Sequence, residues 1–157
     1  MLAPITISIE NAIANYLEGI AELDNTNIVA HSSIDEAPNH PCIIVHCQQV
    51  SRMDDTTQEM YAKSANVTAS LYFDDDDGAS DLSDFEDASR ELECALEDID
   101  SLKDVFNYDP LADPDLRPVT GLHLHAIDEF QTDNDTEDRT WQFGVGLTLH
   151  VEEVDEA

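Results

Sequence analysis

The sequence predicts a single α+β domain over residues 1–157, in which two main helices pack on one side of a mainly antiparallel sheet. Three observations support this fold class: two amphipathic helical stripes, strands with alternating apolar and polar residues, and a pair of adjacent strands typical of a hairpin. The predicted order of elements is α-β-β-β-α-β-β. A chain of 157 residues can bury one hydrophobic core, so no second domain is required.

The two helices are predicted from apolar residues that recur every three or four positions. The first begins near Ser8, and its stripe consists of Ile9, Ala12, Ile13, Tyr16, Leu17 and Ile20. The second lies in the segment 82–106, and its stripe consists of Leu82, Phe85, Ala88, Leu92, Ala95, Leu96 and Ile99. Cys94 lies on or beside this second stripe, so we expect it in the core.

The strands are predicted from short apolar or alternating segments. "NIVAHSS" (27–33) is a short strand candidate, and "CIIVHCQQV" (42–50) is apolar on both faces, which predicts a central strand covered on each side. Residues 65–73 alternate, which predicts one buried face and one exposed face. "LHLHAIDEF" (122–130) and "WQFGVGLTLHV" (141–151) flank the polar segment "QTDNDTEDRT", which we expect at the tip of an antiparallel hairpin.

The charge of the chain is unusual. It carries 36 Asp and Glu against 6 Lys and Arg, giving a net charge of −30, yet its apolar residues form periodic blocks that disordered acidic tails lack. Self-repulsion is strong in dilute buffer and nearly vanishes in molar salt, where the Debye length is about 3 Å. We therefore expect a salt-loving host, or a virus of one. With no basic patch and no apolar run of membrane-spanning length, binding to nucleic acid or to a membrane is not expected.

Two segments raise the question of a metal site. "YFDDDDGASD" (72–81) resembles a calcium loop, but placing Gly78 at the sixth position puts Phe73 at the first, where a phenyl ring cannot ligate. We expect this run to be a solvated loop between a strand and a helix. His123 and His125 share one strand face, and His150 on the next strand could face them. They either begin a metal site or decorate the wet face of the hairpin, and we assign no metal.

Motifs for catalysis are not found in the sequence. No serine lies in a G-x-S-x-G turn, no glycine-rich loop could cradle a phosphate, and carboxylate pairs are expected by chance among 36 acids. Cys42 and Cys47 flank the most apolar strand, so we expect them to be buried and inert. The sequence therefore predicts no catalytic residue, no cofactor and no enzyme.

A few residues are candidates for contacts between subunits. Arg52, Arg117 and Arg139 lie in predicted loops without an obvious partner, and we expect them to meet carboxylates of a neighbouring subunit or of their own acidic loops. Gly144 and Gly146 face away from the apolar side of their strand, where another backbone could approach closely. Such an approach is either an interface or a tight bend.

Read in order, four segments carry a family resemblance: the helix "IENAIANYLEGI", the strand "HPCIIVHC", the acidic helix "FEDASRELECALEDI" and the closing strand "DRTWQFGVGLTLHV". In this order they resemble the tail terminator, or tail-completion, proteins of long-tailed viruses, of which the lambda-like terminator is the best-known type. The resemblance spans nearly the whole chain. The weakly patterned segments 51–64 and 107–119 depart from it.

The resemblance implies a virion structural protein, assembled in the host cytoplasm, that forms a homohexameric ring at the junction of tail and neck. Such a ring caps the tail tube, ends its polymerisation and joins it to the head-side neck, so the implied partners are a tail tube protein and a neck or connector protein. Three alternatives stay open: another neck or connector protein, a small acidic metal-binding protein or enzyme of a halophile centred on the three histidines, and an inhibitor that mimics DNA.

Overall fold

The secondary structure matches the predicted fold class. A computed structural model describes residues 4–34, 36, 38–39, 41–52, 62–74, 79–107, 122–137 and 140–153. Its helices are α1 (Ile5–Glu18), α2 (Ala79–Glu97) and α3 (Ile99–Phe106), with short 3-10 turns at Ala21–Leu23 and His31–Ser33. Its strands are β1 (Asn27–Ala30), β2 (Cys42–Arg52), β3 (Ala62–Asp74), β4 (Leu122–Glu137) and β5 (Thr140–Glu153).

The five strands form one sheet in the order β1-β2-β3-β5-β4. β1 is parallel to β2, and every other neighbouring pair is antiparallel. The predicted hairpin is confirmed as β4 and β5. β1 and β4 are the two edges of the sheet, and β4 is four times as long as β1.

One face of the sheet carries the core. Cross-strand neighbours such as Ile43 with Leu71 and Val67 with Leu147 are buried, and they share a single hydrophobic cluster with residues of all three helices. The opposite face carries polar residues such as Thr68 and Thr148. The prediction that β2 is covered on both faces is wrong: Ile44 is partly exposed, because the helices pack on one face only.

The predicted second helix is two helices. α2 ends at Glu97, and Asp98 starts α3 by accepting hydrogen bonds from the backbone N–H and the hydroxyl of Ser101, at 3.2 and 2.7 Å. The break brings Leu102 and Phe106 into the core. Cys94, which we expected in the core, is exposed, because successive helical residues are about 100° apart and position 94 lies on the far side from Leu92.

β4 is longer than predicted. Residues 131–137, expected at the polar tip, pair with residues 140–146 of β5. The sequence did not predict this part of the strand, because residues 131–135 are polar and exposed and show no alternation of apolar and polar side chains. Two register shifts in β4 leave His125 and Asp128 without an opposite residue on β5.

The acidic run lies between a strand and a helix, as predicted. β3 ends at the exposed Asp74, α2 begins at Ala79, and residues 75–78 between them are outside the described part of the chain. None of the three described helices is both long enough and apolar enough to span a membrane.

Candidate functional site

The three histidines singled out in the sequence are neighbours. β4 and β5 are adjacent, and the rings of His123 and His125 lie 4.5 Å apart, with His150 5.1 Å from His125 between ring centroids. Glu152, which the sequence did not single out, joins them: its Oε2 lies 2.9 Å from Nε2 of His125. The hairpin register explains this, because His123 is opposite Glu152. The sequence left open whether these three histidines come together, and the structure places their rings side by side with one carboxylate.

This histidine cluster does not gather its nitrogens around one point. In the described part of the chain, no three potential ligand atoms from His123, His125, His150 and Glu152 lie within 4.8 Å of one another. Burial lowers the pKa of His123, and the nearby His125 and Lys103 lower it further, while Glu152 opposes them. The arrangement is a group of three partly exposed imidazoles with one carboxylate beside them.

A second cluster joins α1 to the region where β1 ends. Glu10 of α1, His31 directly after β1 and His46 of β2 each place one ligand atom within 4.8 Å of the others. The two imidazole rings are stacked, with centroids 3.9 Å apart and planes at 25°. Glu10 is only 3% exposed, whereas His31 is exposed and His46 partly exposed. Among the described residues, this is the one group of three such side chains that meets this distance.

The carboxylate of Glu10 is held by backbone amides. Oε1 accepts a hydrogen bond from Ser32 N–H at 2.9 Å, and Oε2 accepts one from Cys47 N–H at 2.8 Å. β1 ends at Ala30, opposite Val45, so the Cys47 amide lies beyond the last residue of β2 that β1 pairs with. Glu10 supplies the acceptor that a longer β1 would have supplied.

Sequence reasoning missed this cluster because its members come from three separate elements. Only the parallel pairing of β1 with β2 brings His31 beside His46, and no spacing in the sequence reports that pairing. One signal was present: on a helical wheel Glu10 lies about 20° from Leu17, so it belongs to the buried side of α1. A glutamate on the buried side of a helix needs a hydrogen-bonding or charged partner.

The outer edge of β4 is the longest unpaired strand edge among the described elements. Beside it lies a depression of about 500 Å³ between α3 and β4, with an apolar floor of Ile99, Ile127 and Phe130 and with Lys103 and Glu97 at its rim. A second depression, of about 410 Å³, adjoins the opposite edge at β1 and includes Leu23 and Ile28. In the described part of the chain, each end of the sheet is therefore an unpaired strand edge with a depression beside it, and the depression at β4 is the more apolar of the two.

The predicted subunit-contact residues are only partly described. Arg52, expected in a loop, is instead the last residue of β2, opposite Lys63, because β2 and β3 pair further than their apolar residues indicate. Arg117 and Arg139 lie outside the described residues. On β5, a side chain added at Gly146 would meet no atom within 4 Å, and one at Gly144 would only touch Asp133 and Ser70 at 4.0 Å. No other backbone in the described chain approaches either glycine closely.

Two of the three cysteines, Cys42 and Cys47, are poor nucleophiles at neutral pH. Burial raises the pKa of Cys42 and of Cys47 to about 11, with Asp74 and Glu10 respectively adding to the shift. Both are buried, as predicted, and Cys94 is exposed.

A comparison of the chain with protein-family models found no match, and a comparison with curated proteins found none either. Its function must therefore be inferred from its residues and their geometry.

Proposed function

We propose that this chain is a structural protein of a long-tailed virus that forms a ring at the junction of tail and neck, where it caps the tail tube and ends its polymerisation. The observation that carries the proposal is the pair of strand edges, β4 and β1, that lie at opposite ends of one sheet and that no other described strand pairs with. A closed ring needs two different, complementary surfaces on each subunit, because its contacts run head to tail. Two unlike edges satisfy that requirement.

The β4 edge supports one half of such a contact. It offers unpaired backbone groups beside the apolar floor of Ile127 and Phe130, so a neighbouring subunit can add hydrogen bonds and bury apolar surface together. The β1 edge of the next subunit, beside a depression that Asp24, Thr26 and Asn27 help to line, is the second surface of the contact. Gly146, whose missing side chain leaves open space on the sheet face, also permits close approach.

The charge sets the conditions for assembly. Six copies at −30 each carry about −180, so subunits repel one another unless salt screens them. The same charge suits a conduit for DNA, because an acidic lumen repels the passing phosphates and prevents sticking. The ring is thus expected to form in molar salt and to dissociate in dilute buffer.

The test measures the oligomeric state by sedimentation velocity and electron microscopy, from low to molar NaCl, with and without tail tube protein of the same virus. We expect closed rings at high salt that bind tube ends. Phe130→Lys, which puts a charge into the β4 depression, should keep the protein monomeric. Leu82→Lys is the matched control, since Leu82 is an exposed apolar residue of α2.

The outcomes separate the alternatives. A monomer at every salt concentration, with tube protein present, overturns the proposal. Rings that bind the head-side connector and ignore tube ends identify a neck protein instead. Binding to a basic partner in moderate salt, without rings, favours a DNA mimic.

A further inference from the structure

We propose that Glu10, His31 and His46 form a binding site for one divalent transition-metal ion of the Zn²⁺ class. The proposal is independent of the ring, because it rests on a different part of the molecule. It also differs from the site that the sequence singled out, which centres on His125. We call these three residues the α1–β1–β2 site.

The two histidines are placed by the sheet. In the parallel pairing Ala30 is opposite Val45; His31, which opens the 3-10 turn after β1, directly follows Ala30, and His46 of β2 directly follows Val45. The end of this pairing brings the two side chains together, and their imidazole rings are stacked with centroids 3.9 Å apart. The backbone fixes the spacing of the two ligands, so an ion finds them already side by side.

The third ligand is prearranged. Each oxygen of Glu10 accepts one backbone hydrogen bond, and a carboxylate oxygen has a second lone pair to offer a metal. Such outer contacts orient ligating side chains in metal sites. Glu10 is nearly fully buried, and no ion pair between described residues includes it. A buried carboxylate without a cation is costly, and a bound divalent ion offsets that cost.

The donor set selects the ion. Two imidazoles and one carboxylate suit Zn²⁺ and its first-row neighbours, whereas Ca²⁺ and Mg²⁺ prefer oxygen ligands alone. Metal bonds to these atoms are about 2.0–2.2 Å long, so ligand atoms on opposite sides of an ion lie at most about 4.4 Å apart. The three ligand atoms lie within 4.8 Å of one another, so one ion can reach all three with at most small side-chain rotations. Three protein ligands leave a coordination position for water on the exposed side of His31.

The experiment titrates metal-free, untagged protein with ZnCl₂ by calorimetry in molar NaCl, with Mg²⁺ in excess to occupy surface carboxylates. We expect one saturable site and a rise in the thermal unfolding midpoint with Zn²⁺. His31→Ala should weaken binding by about 100-fold or more, because loss of an outer-shell contact alone costs about 10–100-fold. His31 is exposed, so this variant keeps its core.

The second histidine cluster supplies the matched control. His46→Ala should weaken binding as His31→Ala does, and Glu10→Gln, which keeps a carbonyl acceptor for one amide, should weaken it too. His123→Ala and His150→Ala should bind Zn²⁺ as the unaltered chain does. The proposal is overturned if no saturable binding occurs, if His31→Ala and His46→Ala bind normally, or if the His123 and His150 variants lose the site instead.

Discussion

The side-chain amide of Asn107 hydrogen-bonds both backbone groups of Leu124. Leu124 N–H donates to Oδ1 of Asn107 at 2.6 Å, and Nδ2 of Asn107 donates to the carbonyl of Leu124 at 3.2 Å. Asn107 also ends α3, where its own N–H donates to the carbonyl of Lys103 at 2.7 Å. One residue therefore ties the end of a helix to the outer edge of β4. It closes that edge at Leu124.

Replacing Asn107 with alanine should destabilise the fold by about 1–3 kcal/mol, because two backbone groups of Leu124 lose their partner in a partly buried place. Denaturant unfolding measures the change, and hydrogen exchange at the Leu124 amide should accelerate. Asn134→Ala is the control, since Asn134 is exposed on the same strand. Equal stability of the two variants would show that water replaces the Asn107 amide at no cost.

Salt should stabilise the monomer as well as the ring. Most of the 36 carboxylates have no cation to pair with, since the chain holds six Lys and Arg, and their mutual repulsion acts over about 10 Å at 0.1 M salt but about 3 Å at 1 M. We expect the free energy of unfolding by urea to rise steadily over this range, measured with Phe130→Lys so that assembly does not contribute. A free energy of unfolding that does not change with salt would mean that charge repulsion is as strong in the unfolded chain as in the folded chain.

The sequence predicted the features that depend on local periodicity. The stripe of α1, the alternation in β3 and the β4–β5 hairpin each repeat at the spacing of their element, and the structure confirms all three. The sequence did not predict the helix break at Asp98, because the apolar stripe continues across it. The break is marked only by the Asp98 side chain, which caps α3 by accepting a hydrogen bond from Ser101 N–H. The sequence also missed the end of β4, where pairing with β5 overrides a polar composition.

The two histidine clusters show that the prediction of sites from sequence is also limited to local contacts. His123, His125 and His150 lie on the two adjacent strands of one hairpin, which the sequence predicts, so their proximity follows from a local pairing. Glu10 and His46 are joined through a parallel pair of strands and a helix crossing, which are long-range contacts that one sequence does not report. The local periodicity of a sequence predicts which side chains share one face of a helix or strand, whereas the long-range pairing of elements decides which of these faces come into contact.

The three cysteines should differ in reactivity. Cys94 is exposed, whereas Cys42 and Cys47 are buried with pKa values of about 11, so few thiolates form at neutral pH. We expect one thiol to react quickly with a disulfide reagent in the native protein and all three to react in denaturant. Cys94→Ser should abolish the fast phase. Fast reaction of either remaining thiol in the folded Cys94→Ser variant would contradict the burial of Cys42 and Cys47.

The pKa of His123 should lie below its ordinary value of 6.5, because burial disfavours the charged ring and His125 repels it. NMR titration of the ring protons measures this. Glu152→Gln should lower the pKa of His123 further, since Glu152 favours the charged form, and His125→Gln should raise it. Opposite movements of the pKa in these two variants distinguish the assigned contacts from a general change in structure.

This lowered pKa has a consequence for stability. As the pH falls, His123 is protonated at a higher pH in the unfolded chain than in the folded chain. The contribution of His123 to the free energy of unfolding is therefore fully present above pH 6.5 and is lost as the pH falls through the lowered pKa. Carboxylates also titrate as the pH falls, so the measurement compares the unaltered chain with His123→Gln between about pH 7 and pH 5. The unaltered chain should lose more stability over that range, and an identical pH dependence of the two would contradict a lowered pKa.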